Sequence, residues 1–251
     1  MILMLSGEGK TDMGQMKPTG TGNLFAPGPM AWIADRLIKN RLHFSPIELY
    51  EAGGDTICFV CKADLDNKGN RSKTTFLPGY KYGKGNAFYA PNAQTLGLLA
   101  LKLQKDKNEP VVAVFFRDTD NTNSAPRTIR KAKVESMRRG FAAVDFPYGV
   151  PMMPQPISEA WLICALKENP YCHCDSLEKE SGNDNSPNQL KKRLEKLAGH
   201  NPAAEEQAEW VRTGKVDPER IDMPSYTEFR DELSRVLEAI GGYPDSVCCY
   251  T

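Results

Sequence analysis

The chain opens on an unbroken apolar run, Met1 to Leu5, and carries a second and stronger one at Val111 to Phe116. Runs this short and this continuous read as strands buried on both faces of a parallel sheet. Between and after them the apolar period changes to that of a helix. Trp32, Ile33, Leu37 and Ile38 form one stripe within Met30 to Asn40, and Leu96, Leu99, Ala100 and Leu103 form another within Pro91 to Lys105. Ala125 to Gly140 reads as a basic helix, Ala142 to Phe146 as a strand, and Ile157 to Leu166 as a helix opening at Pro156. Ile47 to Tyr50 reads as a further strand. Gly14 to Pro29, rich in Gly, Pro and Thr, reads as a long mobile loop.

Residues 53–90 break the rhythm. Gly53-Gly54, the polar stretch Asp64 to Asn70 and the run Gly79 to Asn86 predict an inserted hairpin followed by a Gly-rich loop. After residue 168 no β signal remains. Asn188 to Ala198, Ala203 to Arg212 and Tyr226 to Ile240 read as helices. The expected architecture is α/β, a mainly parallel sheet flanked by helices over 1–168, with a helical C-terminal extension over 169–251.

Carboxylates stand directly after the strands. Glu8 follows the first, in Ser6-Gly7-Glu8-Gly9-Lys10-Thr11-Asp12. Asp118 and Asp120 follow the second, in Arg117-Asp118-Thr119-Asp120, and Glu159 follows a third apolar stretch. Sites in open α/β sheets form beyond the carboxyl ends of strands. Carboxylates gathered there hold Mg²⁺ against a phosphate. Each also has a plainer use. Asp118 suits a cap, and an acid such as Glu159 is stabilising in the first turn of any helix. A P-loop is excluded: Gly9-Lys10-Thr11 would need glycine at position 4, and Met4 stands there.

Composition adds bounds rather than chemistry. The 251 residues are 40% apolar and 25% charged, and the net charge is zero. Nucleic-acid contact would therefore need local patches. One is Arg127, Arg130, Lys131, Lys133, Arg138 and Arg139, on the basic helix, where Ile129, Ala132, Val134 and Met137 are left to supply the buried positions. Another is Lys191, Lys192, Arg193 and Lys196. Lys84, in Gly83-Lys84-Gly85, is a further phosphate candidate. Charge runs are most often solvated helix faces. No apolar run approaches membrane-helix length, and the start lacks the basic segment of a signal peptide, so a cytoplasmic address is expected. Seven cysteines in that setting argue against disulfides. Cys58-x-x-Cys61 with Cys172-x-Cys174 has partial zinc spacing, but the first pair falls on a strand, so zinc is not expected.

Taken together, strand-Glu-Gly-x-Thr-Asp and strand-Asp-x-Asp resemble the two-part pattern of the Toprim fold. Lys84-Gly85-Asn86, Ile157-Ser158-Glu159-Ala160-Trp161, Pro187 to Lys192 and Pro224 to Phe229 extend the likeness to a bacterial Toprim-like family, domain of unknown function family 4276. The commoner opening there has Val before Glu-Gly, where this chain has Gly7. The resemblance implies acid/base work for Glu8 and Mg²⁺ or Mn²⁺ ligation by Asp118 and Asp120, with Glu159 or Asp12 completing the set. It implies nuclease chemistry on DNA or RNA, as in the OLD nucleases, whose relatives act in anti-phage defence beside an ABC-type ATPase. No Walker motif is present, so that ATPase would be a separate chain. Two other readings stand: a non-catalytic subunit that binds an ATPase or nucleic acid, and a small phosphoester hydrolase. Oligomeric state is left open, and no membrane association is expected.

Overall fold

The computed structural model describes residues 1–8, 11–20, 22–69, 89–119, 128–180 and 189–241. Asp120, Lys84 and Arg127 lie outside the described residues.

Strand β1 (Ile2–Ser6) is buried at every position, as is β5 (Val111–Phe116). Both are central in a four-stranded parallel sheet of order β4-β1-β5-β6, where β4 is Ile57–Phe59 and β6 is Gly149–Met152. Burial of both faces of this parallel sheet explains why these runs carry no polar alternation. The expected α/β architecture is the one observed: the sheet is flanked by α1 (Pro29–Leu42), α2 (Pro46–Glu51), α3 (Lys62–Gly69), α4 (Tyr89–Lys107), α5 (Thr128–Ala142) and α6 (Glu159–Leu166). The helices α7 (Leu190–Ala198), α8 (Ala204–Arg212) and α9 (Pro224–Gly241) follow.

The C-terminal helices share the core of the rest. Trp161 of α6 stands edge-on to Tyr226 at 4.9 Å and stacked with Phe229 at 5.9 Å between ring centroids. Its indole N–H donates to Ser225 Oγ at 3.0 Å, which satisfies the one polar atom of a fully buried ring. Helix α9 also packs on β6 and α1, and α8 packs on α1.

Four local expectations are corrected. Residues 14–27 form a two-stranded antiparallel ribbon, β2 (Gly14–Thr19) and β3 (Gly22–Pro27), rather than a loop. Half of the ribbon is exposed and its buried positions do not alternate, so no strand pattern advertised it. Ile47 to Tyr50 lies in helix α2. Ser45 caps it, accepting from the Glu48 N–H at 3.0 Å, and Pro46 sits in the first turn. The strand placed at Ala142 to Phe146 is instead the end of α5 and a turn, and the chain pairs later, at Gly149–Met152. Pro151 masks that strand in sequence, but β6 is an edge, where the missing N–H is tolerated. The inserted hairpin is β4 followed by α3 as far as the described residues extend.

The α1–α2 corner rests on a buried acid. Asp35, fully buried, accepts from Ser45 Oγ at 2.6 Å and from the Ile47 N–H at 2.8 Å. Burial pushes its carboxyl up to about 6 from the usual 3.8, against the pull of those two donors. A raised folded pKa favours the protonated acid. The stabilisation is complete below about pH 4 and is lost as the pH rises through 6. Asp35→Asn keeps an acceptor for Ile47 and carries no charge. It should be more stable than the wild type at pH 8 by about 3 kcal/mol, with the gap closing near pH 4. Urea titrations of both proteins at the two pH values check this, and a gap independent of pH would refute it.

Candidate metal and phosphate site

The chain places β4 on one side of β1 and then returns to place β5 on the other. The strand order therefore switches between β1 and β5, which is where an open α/β sheet leaves a crevice at its carboxyl edge. Ser6 pairs with Phe115 there. Glu8 and Asp118 each stand two residues past the end of their strand, on the same edge of the sheet.

Asp12 reaches that edge from the loop after β1. Its carbonyl accepts from the Met30 N–H at 2.9 Å, and Met13 O accepts from the Gly28 N–H at 3.2 Å. Gly28 is required for this approach. A Cβ there would stand 2.1 Å from Thr11 O and 2.4 Å from Asp12 O. The turn after β5 is pinned by buried Thr119, whose hydroxyl donates to Pro154 O at 2.5 Å, and by Lys133, which donates to Thr119 O at 2.8 Å.

Ser158 draws three acids together. Its N–H donates to Asp118 Oδ1 at 2.9 Å, and its hydroxyl donates to Asp12 Oδ1 and reaches Glu159 Oε2 at 3.4 Å. Protein crowds most of the Glu159 carboxyl, and that burial pushes it up to about 7. Asp12 adds repulsion, while its own N–H, Lys191 and Ser158 oppose the shift. This donor set is all hard oxygen, and the Asp12–Glu159 repulsion is what a divalent cation relieves, so the chemistry fits Mg²⁺ or Mn²⁺. Among the described residues no three of these acids close on one point as a finished metal site. The sequence named Glu159 but passed over Ser158, whose hydroxyl turns to the acids and caps no helix N–H.

Glu8 is held separately. Lys62 of α3 donates to its Oε1 at 2.6 Å, and Glu8 lines a cavity with Asp66, Tyr89, Asn92 and Arg117. The structure thus brings Asp12, Asp118 and Glu159 together around Ser158, with Glu8 on the same edge but in an ion pair.

The basic helix is placed differently from its sequence reading. Arg130 is buried, whereas Ala132, assigned to the core, is exposed. Arg130 Nε donates to Met153 O at 2.8 Å, Nη1 to Glu228 at 2.5 Å and Nη2 to Ser225 O at 3.3 Å. Arg138 bonds Glu228 at 3.0 Å and also Glu232. Acids of α9 therefore take up Arg130 and Arg138, two of the cations of α5. Lys131 and Arg139 remain on the surface, with Arg139 paired to Glu135 at 3.2 Å.

The second basic run also reaches the acids. Lys191, beside Glu159, begins the exposed face of α7. Lys192, Arg193 and Lys196 then line an open groove of about 1200 Å³ with Lys167 and His173, shared with Glu168 and Glu180, and Arg193 stands 3.9 Å from the Glu180 carboxylate. Buried Leu190 and Leu194 anchor the opposite face of the helix, so packing makes no demand on these cations.

The cysteines form no zinc quartet among the described residues. Cys164 and Cys174 are joined in a disulfide, contrary to the expectation of free thiols, because the turn after α6 brings their Cα atoms to 5.4 Å. Cys58 and Cys61 are half-buried thiols and Cys172 is exposed. Among the described residues no helix is long and apolar enough to cross a membrane. No family model, curated protein or solved structure matches this chain.

Proposed function

We propose that the protein is a divalent-metal-dependent phosphodiesterase acting on DNA or RNA. The observation that carries this reading is the trio Asp12, Asp118 and Glu159, gathered by Ser158 at the β1/β5 switch point with Glu8 on the same edge. Asp12, Asp118 and Glu159, with Asp120 from the same motif, would hold Mg²⁺ or Mn²⁺. A bound ion supplies charge neutralisation at the reacting phosphate. Ser158 orients two of its ligands. Glu8 exchanges a proton with the reacting oxygen once it leaves Lys62. The α7 face, rather than the centre of α5, carries the phosphate backbone to the acids. The wider setting, an anti-phage effector working with a separate ATPase, rests on the sequence resemblance alone.

The test offers single- and double-stranded DNA and RNA with Mg²⁺ or Mn²⁺. Glu8→Gln should cut at least about 100-fold slower. Its binding in chelator should not weaken, since the change removes a negative charge and releases Lys62. Replacing Lys192, Arg193 and Lys196 with Ala should instead weaken binding to every sequence. It should also flatten the salt dependence by roughly 0.7–0.9 in slope for each phosphate no longer neutralised. Binding without cleavage of any substrate would move the binding-subunit reading ahead of the nuclease.

A further inference from the structure

The cavity on the Glu8 side of the switch point has a volume of about 270 Å³. At its wall stands Arg117, only 3% exposed. The guanidinium lies over the Phe115 ring, 4.4 Å from its centroid. Nη1 donates to Phe116 O at 2.7 Å, but Nη2 is buried with no acceptor among the described residues. A buried donor left open asks for an explanation. Neither nearby acid closes it. Glu8 bonds Lys62, and Asp66 accepts from Asn92 Nδ2 at 3.0 Å. Burial presses the Arg117 pKa down, opposed only by the more distant charges of Glu8, Tyr89 and Asp66.

The open Nη2 and the neighbouring ammonium define the ligand. A guanidinium nitrogen donates a strong charge-assisted hydrogen bond to a phosphate oxygen, and Lys62 supplies a second cation at the same wall. A nucleobase fits less well, since Arg117 already covers a face of Phe115 and Lys133 stands 5.4 Å from the centre of the Tyr89 ring. The volume admits a phosphate and its sugar but not a duplex. We infer that this cavity is a phosphate subsite, in which Arg117 Nη2 and Lys62 Nζ hold the oxygens of one phosphate group. The inference rests on the phosphodiesterase reading for its place beside the reacting bond. It also gives the Lys62–Glu8 pair a purpose: a phosphate that takes Lys62 frees the Glu8 carboxylate when substrate is present.

The experiment is equilibrium binding in chelator, so that it stands apart from metal-dependent cleavage. Inorganic phosphate, a nucleoside monophosphate and one short oligonucleotide with either a 5′-phosphate or a 5′-hydroxyl are titrated by calorimetry. Wild-type protein should bind phosphate, and Arg117→Gln should bind it about tenfold more weakly, as expected for one missing charge-assisted hydrogen bond. Lys62→Met, at a half-exposed position that is not needed for the core, should weaken it several-fold and keeps the test valid if Arg117→Gln fails to fold. A preference for the 5′-phosphate that disappears in either variant assigns the subsite to chain ends. Arg117-dependent binding of phosphate or mononucleotide without that preference assigns it to small phosphates. Phosphate affinity equal in all three proteins overturns the inference and leaves the cleavage reading standing. Cleavage that fails while phosphate binding depends on Arg117 does the reverse.

Discussion

Replacing Arg130 with Ala should cost about 3 kcal/mol of stability, more than the same change at an exposed cation of the basic helix. The side chain is a clamp. It ties the end of β6 at Met153 to the first turns of α9 at Ser225 and Glu228, with 10% of its surface exposed. Removing one member of a buried pair costs roughly 3–5 kcal/mol, because the partner charge stays behind without compensation. Here the cost falls toward the lower end. Glu228 keeps Arg138 at 3.0 Å, and a third of its side chain sees solvent. Burial pulls the Glu228 pKa up, but the two arginines outweigh it and hold it below the usual carboxylate range. Arg130→Lys keeps the charge but not the three-way fork, and should lie between the two. Lys131→Ala, on the exposed face, should change stability by less than about 0.5 kcal/mol. Thermal or urea melts of the four proteins decide it. A neutral Arg130→Ala would return that residue to the pool of cations open to nucleic acid.

The arginine clamp shows where sequence reasoning stops. Patterning located β1 and β5 because a parallel strand buried on both faces reads as a continuous apolar run, and it located Glu8 and Asp118 because each ends such a strand. The same patterning put Ala132 inside and Arg130 outside. The acid that reverses this is Glu228, 98 residues away, and no local period reports it. The ribbon β2–β3 escaped for a related reason. Its apolar residues Met16 and Leu24 are exposed at 43% and 52%, and only Phe25 reaches the core, so no alternation of buried positions runs along it. Helix α2 was a different kind of miss. Ser45-Pro46-Ile47-Glu48 is a capping signature, and three apolar residues outweighed it. Ser158 is the most consequential residue that patterning passed over. Its role comes from donors on one residue meeting acids 146 and 40 positions away, which only the sheet topology creates.

Asp118→Asn should abolish metal-dependent cleavage, by at least about 100-fold, while the protein stays folded. The two effects separate because the two demands on this side chain differ. The Ser158 N–H needs one oxygen acceptor, at 2.9 Å, and the asparagine carbonyl provides it. A divalent cation needs the negative charge, which the amide lacks. Asp118→Ala removes both, leaves the Ser158 N–H without this acceptor and should cost a further 1–3 kcal/mol, roughly, in stability. Removing a like charge beside Asp12 and Glu159 relieves repulsion in the metal-free protein, so Asp118→Asn should melt at or above the wild type in chelator. The measurement pairs melting with and without Mg²⁺ against cleavage under single-turnover conditions. Wild-type protein should gain melting temperature with Mg²⁺, and Asp118→Asn should not, since an ion that binds only the folded state stabilises it by mass action. If Asp118→Asn melts far below the wild type in chelator, the carboxylate belongs to the fold, and the acids around Ser158 form a polar brace for the β5 turn rather than a metal centre.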